Sequence, residues 1–523
     1  MGDNPAVQRN DQPQPPAGTA GFTGRASRRA GEGRLIRPRT DPLAWLPVGL
    51  AVALTGALVW FIGADPTTGV TASGSPFTDE AWNVVNARNL VLLGTWSTDQ
   101  FNLHLVNGPF SILEAGVFSI LGVGIVQARL LSIASVAMTT LLLGFGLRQA
   151  LGRGPAVVAA AAFGTCLLVL FYGRLAYTET LVMLEMTVGA VLIGRSAGDG
   201  PTGRWGLLAG VFFGLAIATK ALAGFGVVGA ILALLIVESR RSTAMRRWLA
   251  GCVGGLLAIG LAWIVIVFIP DHAAVAIDLN IWAHQVTPTS ITELVGRIVS
   301  YPFRSDGALP GLGPIAGGAI VGVVATIAGW RQMPPPRRRL AVAAIGWVAI
   351  HLAVLLVSSY RPNRYLLPML PGAILLVGVG AAALGETLRR RAVPRSFAAG
   401  AIVAGLAVVM LPGIVSYGRW MSHATNRLEP MQRAVAALIP PGSTVWGGYA
   451  PLVAMGAPVT TIVPWPPASA NNGPDYQSRP VRWIVTGNHE PEWIVPSSPA
   501  WAARVERVCF RWDRQRVCLV ELP

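Results

Sequence analysis

Thr78-Asp79-Glu80-Ala81-Trp82 places two adjacent carboxylates shortly after the first long apolar segment of the chain, residues 44–63. On a helix that begins here, neighbouring side chains diverge by roughly 100°, so Asp79 and Glu80 cannot share one task equally. Two interpretations stay open. The carboxylates are either favourable charges in the first turn of a helix capped by Thr78, or a functional pair beside a bilayer.

The composition indicates a polytopic membrane protein. Of 523 residues, 53% are hydrophobic and only 13% are charged, and the mean hydropathy is +0.53. This is too little charge to cover a soluble surface. The net charge of +16 would suit nucleic acid only on the basic face of a soluble domain, whereas these arginines fall in short runs between apolar segments. We therefore expect no nucleic-acid partner.

Arginine positions predict how the chain crosses the membrane. Residues 1–43 are polar, rich in Pro and Gly, and basic, which predicts a disordered cytoplasmic tail. Positive charge collects on the cytoplasmic side, so residues 64–129 and 270–311 form outer loops. Residues 108–125 are interpreted as a juxtamembrane helix, because counting them as a span would place every later basic cluster outside.

This topology gives a transmembrane domain at residues 44–416 with about eleven helices. The chain is then a multi-pass plasma-membrane protein with a cytoplasmic N-terminus. The predicted spans lie near 44–63, 130–148, 155–171, 180–196, 205–220, 222–238, 248–269, 312–330, 340–358, 366–385 and 396–416.

Residues 417–523 change in character and predict a small extracytoplasmic α/β domain. An amphipathic helix is expected near 427–439, and the last two apolar runs alternate enough to form a hairpin. The expected strands are 444–446, 459–463, 481–486, 505–510 and 516–522. Cys509 and Cys518 would be able to form a cross-strand disulfide if this end lies outside the cytoplasm.

Most residues that could carry chemistry then fall on the outer face. They are Asp79, Glu80, Arg174, Glu179, Lys220, Arg361, Arg364 and Tyr365. ATP is absent outside and the chain has no Walker-type loop; the run Gly251–Gly255 is better explained by helix packing. The driving force must come from a gradient or from an activated, membrane-borne substrate. A lipid-linked sugar phosphate fits, because it needs cations for its phosphate and a carboxylate base for the attacking hydroxyl.

Each of these residues also has an alternative role. Lysine or arginine at the end of a span often snorkels to the interface, which applies to Arg174, Lys220, Arg361 and Arg364. Glu179 begins a span, where it is either functional or a helix-capping residue. Carboxylates alone would suit Mg²⁺, Mn²⁺ or Ca²⁺, but the sequence requires no metal and names no metal ligands.

The ordered set of short motifs resembles the GT-C glycosyltransferases. It is most similar to the branch that contains protein O-mannosyltransferases and the lipid A aminoarabinose transferase, and the resemblance covers about residues 45–420. The motifs are Thr78-Asp79-Glu80, Ala87-Arg88, Gly94-Thr95-Trp96, Asn107-Gly108-Pro109, Arg129-Leu130-Leu131-Ser132, Gly173-Arg174 through Glu179, Ala218-Thr219-Lys220 and Asn363-Arg364-Tyr365 through Pro368.

This resemblance implies inverting transfer of a sugar from a polyprenyl-phosphate carrier to an envelope glycan, glycolipid or protein, on the outer face of the plasma membrane. It implies that Asp79 is the base or orients the acceptor, with Glu80 beside it and Glu179 as the second acidic position. Lys220 and Arg364-Tyr365 would line the lipid-phosphate pocket. The chain departs from the aminoarabinose branch at Trp82-Asn83, where that branch has an arginine.

Two other classes of function stay open. A secondary transporter or lipid flippase would need charges near the bilayer midplane and two related halves; Glu185 is the clearest such charge, and we find no related halves. A membrane scaffold presenting the C-terminal domain would need no chemistry. The depth of the charges distinguishes transfer from transport.

Overall fold

The computed structural model describes residues 42–66, 79–96, 107–196, 202–270, 290–303, 312–463, 481–487, 499–512 and 515–523, with single residues between 272 and 288. Residues 1–41 of the predicted tail lie outside this part of the chain.

The described chain is mainly helical. Its helices are α1 (Pro42–Val59), α2 (Asp79–Leu93), α3 (Gly108–Leu121), α4 (Ile125–Leu141), α5 (Arg148–Leu151), α6 (Arg153–Gly164), α7 (Leu167–Tyr172), α8 (Thr178–Arg195), α9 (Thr202–Thr219), α10 (Ala223–Val237), α11 (Thr243–Trp263), α12 (Ile291–Ser300), α13 (Pro314–Gly329), α14 (Pro335–Val357), α15 (Leu370–Arg390), α16 (Arg395–Met421), α17 (Leu428–Leu438), α18 (Ala450–Val453) and α19 (Pro499–Ala502). The 3₁₀ segment Asn363–Met369 leads directly into α15.

Among the described residues, seven helices are long and apolar enough to cross a membrane. They are Ile125–Leu151, Thr202–Thr219, Ala223–Arg241, Thr243–Phe268, Pro335–Val357, Asn363–Arg390 and Ala404–Met421. Shorter apolar helices lie at Ala44–Val59, Gly108–Leu121 and Pro314–Gly329. The polytopic helical fold is thus confirmed, while the count of about eleven spans and their orientation stay predictions.

The C-terminal residues form a small mixed sheet of five strands in the order β2-β1-β3-β5-β4. The strands are β1 (Thr444–Trp446), β2 (Thr460–Ile462), β3 (Trp483–Thr486), β4 (Val505–Trp512) and β5 (Gln515–Glu521). β1 is parallel to β2 and β3, whereas β5 is antiparallel to β3 and β4. A Cys509–Cys518 disulfide joins β4 to β5, and these two strands form the expected hairpin.

Glycines let α9 and α11 pack with their backbones in contact. A Cβ added at Gly206 or Gly210 of α9 would lie 2.0 Å from the carbonyl oxygen of Trp248 or Cys252. A Cβ added at Gly255 of α11 would lie 2.3 Å from the carbonyl oxygen of Leu207. Small residues at this spacing allow close approach of helices in a membrane, which supports the packing interpretation of the 251–255 run.

Two adjacent glycines test this packing. Gly255→Ala should lower the apparent melting temperature in detergent, because its methyl group would overlap the Leu207 carbonyl. Gly254→Ala is the matched control, since its methyl group would meet only Leu207 Cδ1, at 3.9 Å. Thermal melts followed by size-exclusion chromatography compare the two. Equal melting temperatures would contradict the close contact.

Candidate active site

Four charged side chains from four separate parts of the chain meet at one end of the helix bundle. Asp79 is the first residue of α2, and its Oδ2 lies 2.7 Å from Nη2 of Arg364 in the 3₁₀ segment. Glu179, in the first turn of α8, lies 2.6 Å from Nζ of Lys220, which follows α9. Arg364 Nε is also 3.9 Å from Glu179 Oε1, so the two ion pairs form one cluster. Each residue stands at or beside a helix end.

Tyrosine rings surround the cations of this cluster. The Arg364 guanidinium lies 5.5–5.9 Å from the ring centres of Tyr177, Tyr360 and Tyr365. Its Nη2 also donates a hydrogen bond of 2.8 Å to the Tyr360 hydroxyl, and Lys220 Nζ lies 5.4 Å from the Tyr365 ring centre. Rings at these distances attract cations. They help to hold both cations when a carboxylate partner is withdrawn.

The 3₁₀ segment that presents Arg364 and Tyr365 is held from α14. Trp347 Nε1 donates a hydrogen bond of 2.9 Å to the Pro368 carbonyl. His351 Nε2 lies 2.8 Å from the Tyr365 carbonyl, which requires the proton on Nε2. Both side chains are buried. They fix the direction in which Arg364 leaves the backbone.

Burial decides the electrostatics of Asp79. Loss of solvent raises the pKa of this carboxyl above the usual aspartate range, although the charges of Arg364 and Lys220 act in the opposite direction. The nearby Glu179 and Glu80 charges raise it further. Asp79 is therefore a stronger proton acceptor than an exposed aspartate whenever Arg364 moves away from it.

Glu80 points away from this cluster and forms a different one. Its two oxygens accept hydrogen bonds of 2.8 and 2.9 Å from Arg129 of α4, and Oε1 also accepts one of 3.0 Å from the Ala176 backbone. Arg129 donates in turn to the carbonyls of Ile62 and Ala64. The two adjacent side chains diverge on the helix, as predicted. The Glu80–Arg129 pair links α2 and α4 to the segment after α1 and to the turn before α8. Of the two adjacent carboxylates, Asp79 therefore faces the cations of the cluster, and Glu80 is held by Arg129.

Arg174 is placed away from the expected phosphate pocket. Its guanidinium contacts the Tyr417 hydroxyl, the Met421 sulfur and the Phe61 carbonyl, and it lies 4.8 Å from the Trp420 ring centre. These contacts join the turn before α8 to α16. The expected convergence of four cations is therefore wrong for Arg174, whose guanidinium is held by a carbonyl, a hydroxyl, a thioether and the Trp420 ring.

Arg361 is also placed away from the cluster, although it precedes Arg364 by only three residues. It donates to the carbonyls of Arg297 and Leu356 and lies 4.5 Å from the Tyr301 ring centre. It thereby ties α12 to the end of α14. Of the predicted set, the structure brings together Asp79, Glu179, Lys220, Arg364 and Tyr365.

Sequence reasoning gave no role to Arg129, Tyr177, Tyr360 or His351. Arg129 stands in one of the motifs that carry the resemblance, and its place in that motif was the signal that it has a role. Tyr177 lies two residues before Glu179, and Tyr360 lies one residue before Arg361. Sequence spacing, however, does not predict that an aromatic ring packs against a cation. A divalent cation would have to compete with Arg364 and Lys220 for the carboxylates, and no step below depends on one.

The middle of the chain matches a known protein family. Residues 110–267 match the family model described as dolichyl-phosphate-mannose-protein mannosyltransferase. That match includes Glu179 and Lys220 but not Asp79 or Arg364. No curated protein sequence shows significant similarity.

Solved structures match over much more of the chain. ArnT from Cupriavidus metallidurans bound to undecaprenyl phosphate has a TM-score of 0.62 at 16% identity, covering 91% of this chain and 97% of that one. The apo oligosaccharyltransferase of Archaeoglobus fulgidus gives 0.51 at 13% identity, covering 86% and 70%. The mycobacterial arabinofuranosyltransferase AftD gives 0.51 at 17% identity, covering 91% of this chain and 41% of that one.

The chain shares the fold of these three proteins, which is the fold that the resemblance to the GT-C glycosyltransferases implies. The resemblance stated from the sequence is confirmed at this level, and so is the multi-pass membrane architecture. At 13–17% identity these structural matches establish the fold alone.

The Glu80–Arg129 pair provides a stability test. Glu80→Gln should lower the apparent melting temperature by roughly 6 °C or more, because it leaves a buried guanidinium without its counter-charge. Combining it with Arg129→Met should cost less than the sum of the single losses, since no buried charge is then unpaired. Glu429→Gln, which breaks the surface pair with Arg433, should change little. A wild-type melting temperature in Glu80→Gln would refute the structural role.

Proposed function

We propose that this chain is a membrane glycosyltransferase. It takes a sugar from a polyprenyl-phosphate donor and transfers it, with inversion, to a hydroxyl group of a cell-envelope acceptor. The observation that carries the proposal is the Asp79–Arg364 ion pair with Lys220 beside it. A base and two phosphate-binding cations then stand within one cluster. The undecaprenyl phosphate bound to ArnT supports a lipid donor of this chemistry.

The first step is an exchange of partners by the cations. A sugar linked through phosphate to a polyprenyl chain carries one negative charge, which attracts Arg364 and Lys220. When Arg364 turns to the phosphate, Asp79 loses its counter-charge. Its position in a buried site then makes it basic enough to accept a proton from the acceptor hydroxyl.

Transfer itself moves charge without changing the total. The acceptor O–H bond breaks and its proton goes to Asp79. The acceptor oxygen bonds to the anomeric carbon, and the bond from that carbon to the phosphate oxygen breaks with its electron pair. The leaving phosphate gains a negative charge as Asp79 loses one. Arg364 and Lys220 stabilise the charge that develops on the leaving group, so the phosphate needs no proton.

We place this reaction on the outer face of the plasma membrane. The Cys509–Cys518 disulfide supports this placement, because disulfides persist outside the cytoplasm. Residues of the disulfide-bearing C-terminal part, Leu428, Leu452 and Met455, share a buried apolar cluster with Ala81 of α2. The helix that begins with Asp79 therefore lies on the same side as the disulfide.

Transport is less well supported than transfer. The four clustered charges stand at or beside helix ends, where a headgroup would lie. Glu185, the charge deepest in a predicted span, is buried and accepts a hydrogen bond of 3.2 Å from Thr219. A transporter or flippase would place its charges at mid-depth.

Membranes that carry the protein test the proposal. They are incubated with a small panel of labelled polyprenyl-phosphate sugars, and loss of label from the lipid is followed. Asp79→Asn should lower the transfer rate by about 100-fold or more, because the amide cannot take the hydroxyl proton. Protein level and retention of the labelled donor should stay at wild-type values.

Asp79→Glu is the matched variant, since it keeps a carboxylate on a longer side chain. It should retain measurable transfer. Full activity in Asp79→Asn would end the assignment of the base, and absence of transfer from every donor in the wild type would end the proposed function.

A further inference from the structure

Arg88 is a buried cation that the reaction above does not use. It is 1% exposed, in the second half of α2. Nε donates to the Met455 carbonyl at 2.9 Å, and Nη2 contacts the carbonyls of Ala454, Ala457 and Val459 at 2.5–3.0 Å. Nη1 donates to the Asn89 side chain at 2.6 Å. One guanidinium therefore satisfies four main-chain carbonyls of the C-terminal part, between α18 and β2.

The charge of Arg88 is balanced by these carbonyl dipoles. Within the described ranges, the structure gives it no ion pair with a carboxylate. Burial lowers the pKa of Arg88 to about 10, so the group stays charged at neutral pH. Such a site is costly to build, because the guanidinium must exchange all its water for fixed acceptors. The contact therefore depends on the four carbonyls being held at these positions around the guanidinium.

The polar contacts at the start and in the second half of α2 come from different parts of the chain. At its start, Asp79 pairs with Arg364 and Glu80 pairs with Arg129. Arg88 stands nine residues later, about 14 Å along the helix axis, and is held by the C-terminal part. Between them, Asn83 donates a hydrogen bond of 2.9 Å to the Ala176 carbonyl. A shift of α2 along its axis would strain every one of these contacts.

We propose that Arg88 is a positioning residue, through which the C-terminal part of the chain sets the axial position of α2 and hence the place of Asp79. This inference rests on the proposed function for its effect on rate, and on the structure alone for its effect on α2. The C-terminal part then contributes to turnover without touching the reacting atoms.

The test compares Arg88→Ala with Gln432→Ala. Gln432 donates a hydrogen bond of 2.6 Å to the Leu452 carbonyl of α18, so its loss loosens the helix directly before residues 454–459 from within the C-terminal part. Arg88→Ala should lower kcat by about 10–100-fold, the size expected when a catalytic group is displaced by about an ångström. The KM for the donor should stay within about twofold, because Lys220 and Arg364 are untouched. Gln432→Ala should stay within about twofold in kcat.

Chemical rescue separates positioning from general damage. Millimolar guanidinium ion should restore part of the kcat of Arg88→Ala, because the ion can occupy the vacated site among the carbonyls, whereas equal concentrations of sodium ion should not. Arg88→Lys serves if the alanine variant does not fold. Lysine keeps the positive charge but lacks the planar guanidinium that binds several carbonyls at once, so we expect an intermediate kcat. A folded Arg88→Ala with wild-type kcat would overturn the inference, as would an equal loss in Gln432→Ala.

Hydrogen–deuterium exchange tests the inference without a measurement of enzyme activity. In Arg88→Ala, or in Arg88→Lys if that variant is used, exchange should rise in the first turns of α2, residues 79–87, as well as at residues 454–459. A rise confined to residues 88–93 and 454–459 would refute the coupling. Failure of the proposed function would instead show as absence of transfer by the wild type.

Discussion

Two largely buried ion pairs, Asp79–Arg364 and Glu179–Lys220, determine how the helices meet at this end of the bundle. Their carboxylates have lost most or all of their water, so each needs a cation at contact distance. This requirement brings together the starts of α2 and α8, the end of α9 and the 3₁₀ segment before α15. The cluster is neutral as a whole. An incoming phosphate can take over the cations only by releasing the carboxylates, and that release turns Asp79 into a base.

The sequence predicted the convergence of Asp79, Glu179, Lys220, Arg364 and Tyr365, because each follows or begins an apolar segment on the same predicted side. The apolar helices and the strands were also predictable, since hydropathy and alternation report directly on burial. The destinations of Glu80, Arg174, Arg361 and Arg88 were not. Their partners are mostly main-chain carbonyls, aromatic rings or a distant arginine, and a carbonyl has the same chemistry at every position. Only the tertiary structure shows which main-chain carbonyls are free to accept a hydrogen bond from a side chain.

α2 connects the membrane part of the chain to its C-terminal sheet. Asp65, after α1, makes a second connection by accepting hydrogen bonds of 3.1 and 3.0 Å from the backbone amides of Arg427 and Leu428, at the start of α17. The Arg88 guanidinium donates hydrogen bonds to main-chain carbonyls, and the Asp65 carboxylate accepts them from main-chain amides. Both charged side chains therefore hold the C-terminal part by its backbone. The sheet is stabilised separately by its own apolar clusters and by the Cys509–Cys518 disulfide. It is thus a stable support for the helix that carries Asp79.

The partner exchange is the central claim, and a structure of the protein in lipid nanodiscs with undecaprenyl phosphate tests it most directly. We expect the phosphate to lie against Lys220 Nζ and the Arg364 guanidinium, with Arg364 turned away from Asp79 and the Asp79 carboxylate facing the space beside the phosphate. A phosphate bound elsewhere, or one bound while the Asp79–Arg364 pair stays intact, would contradict the account.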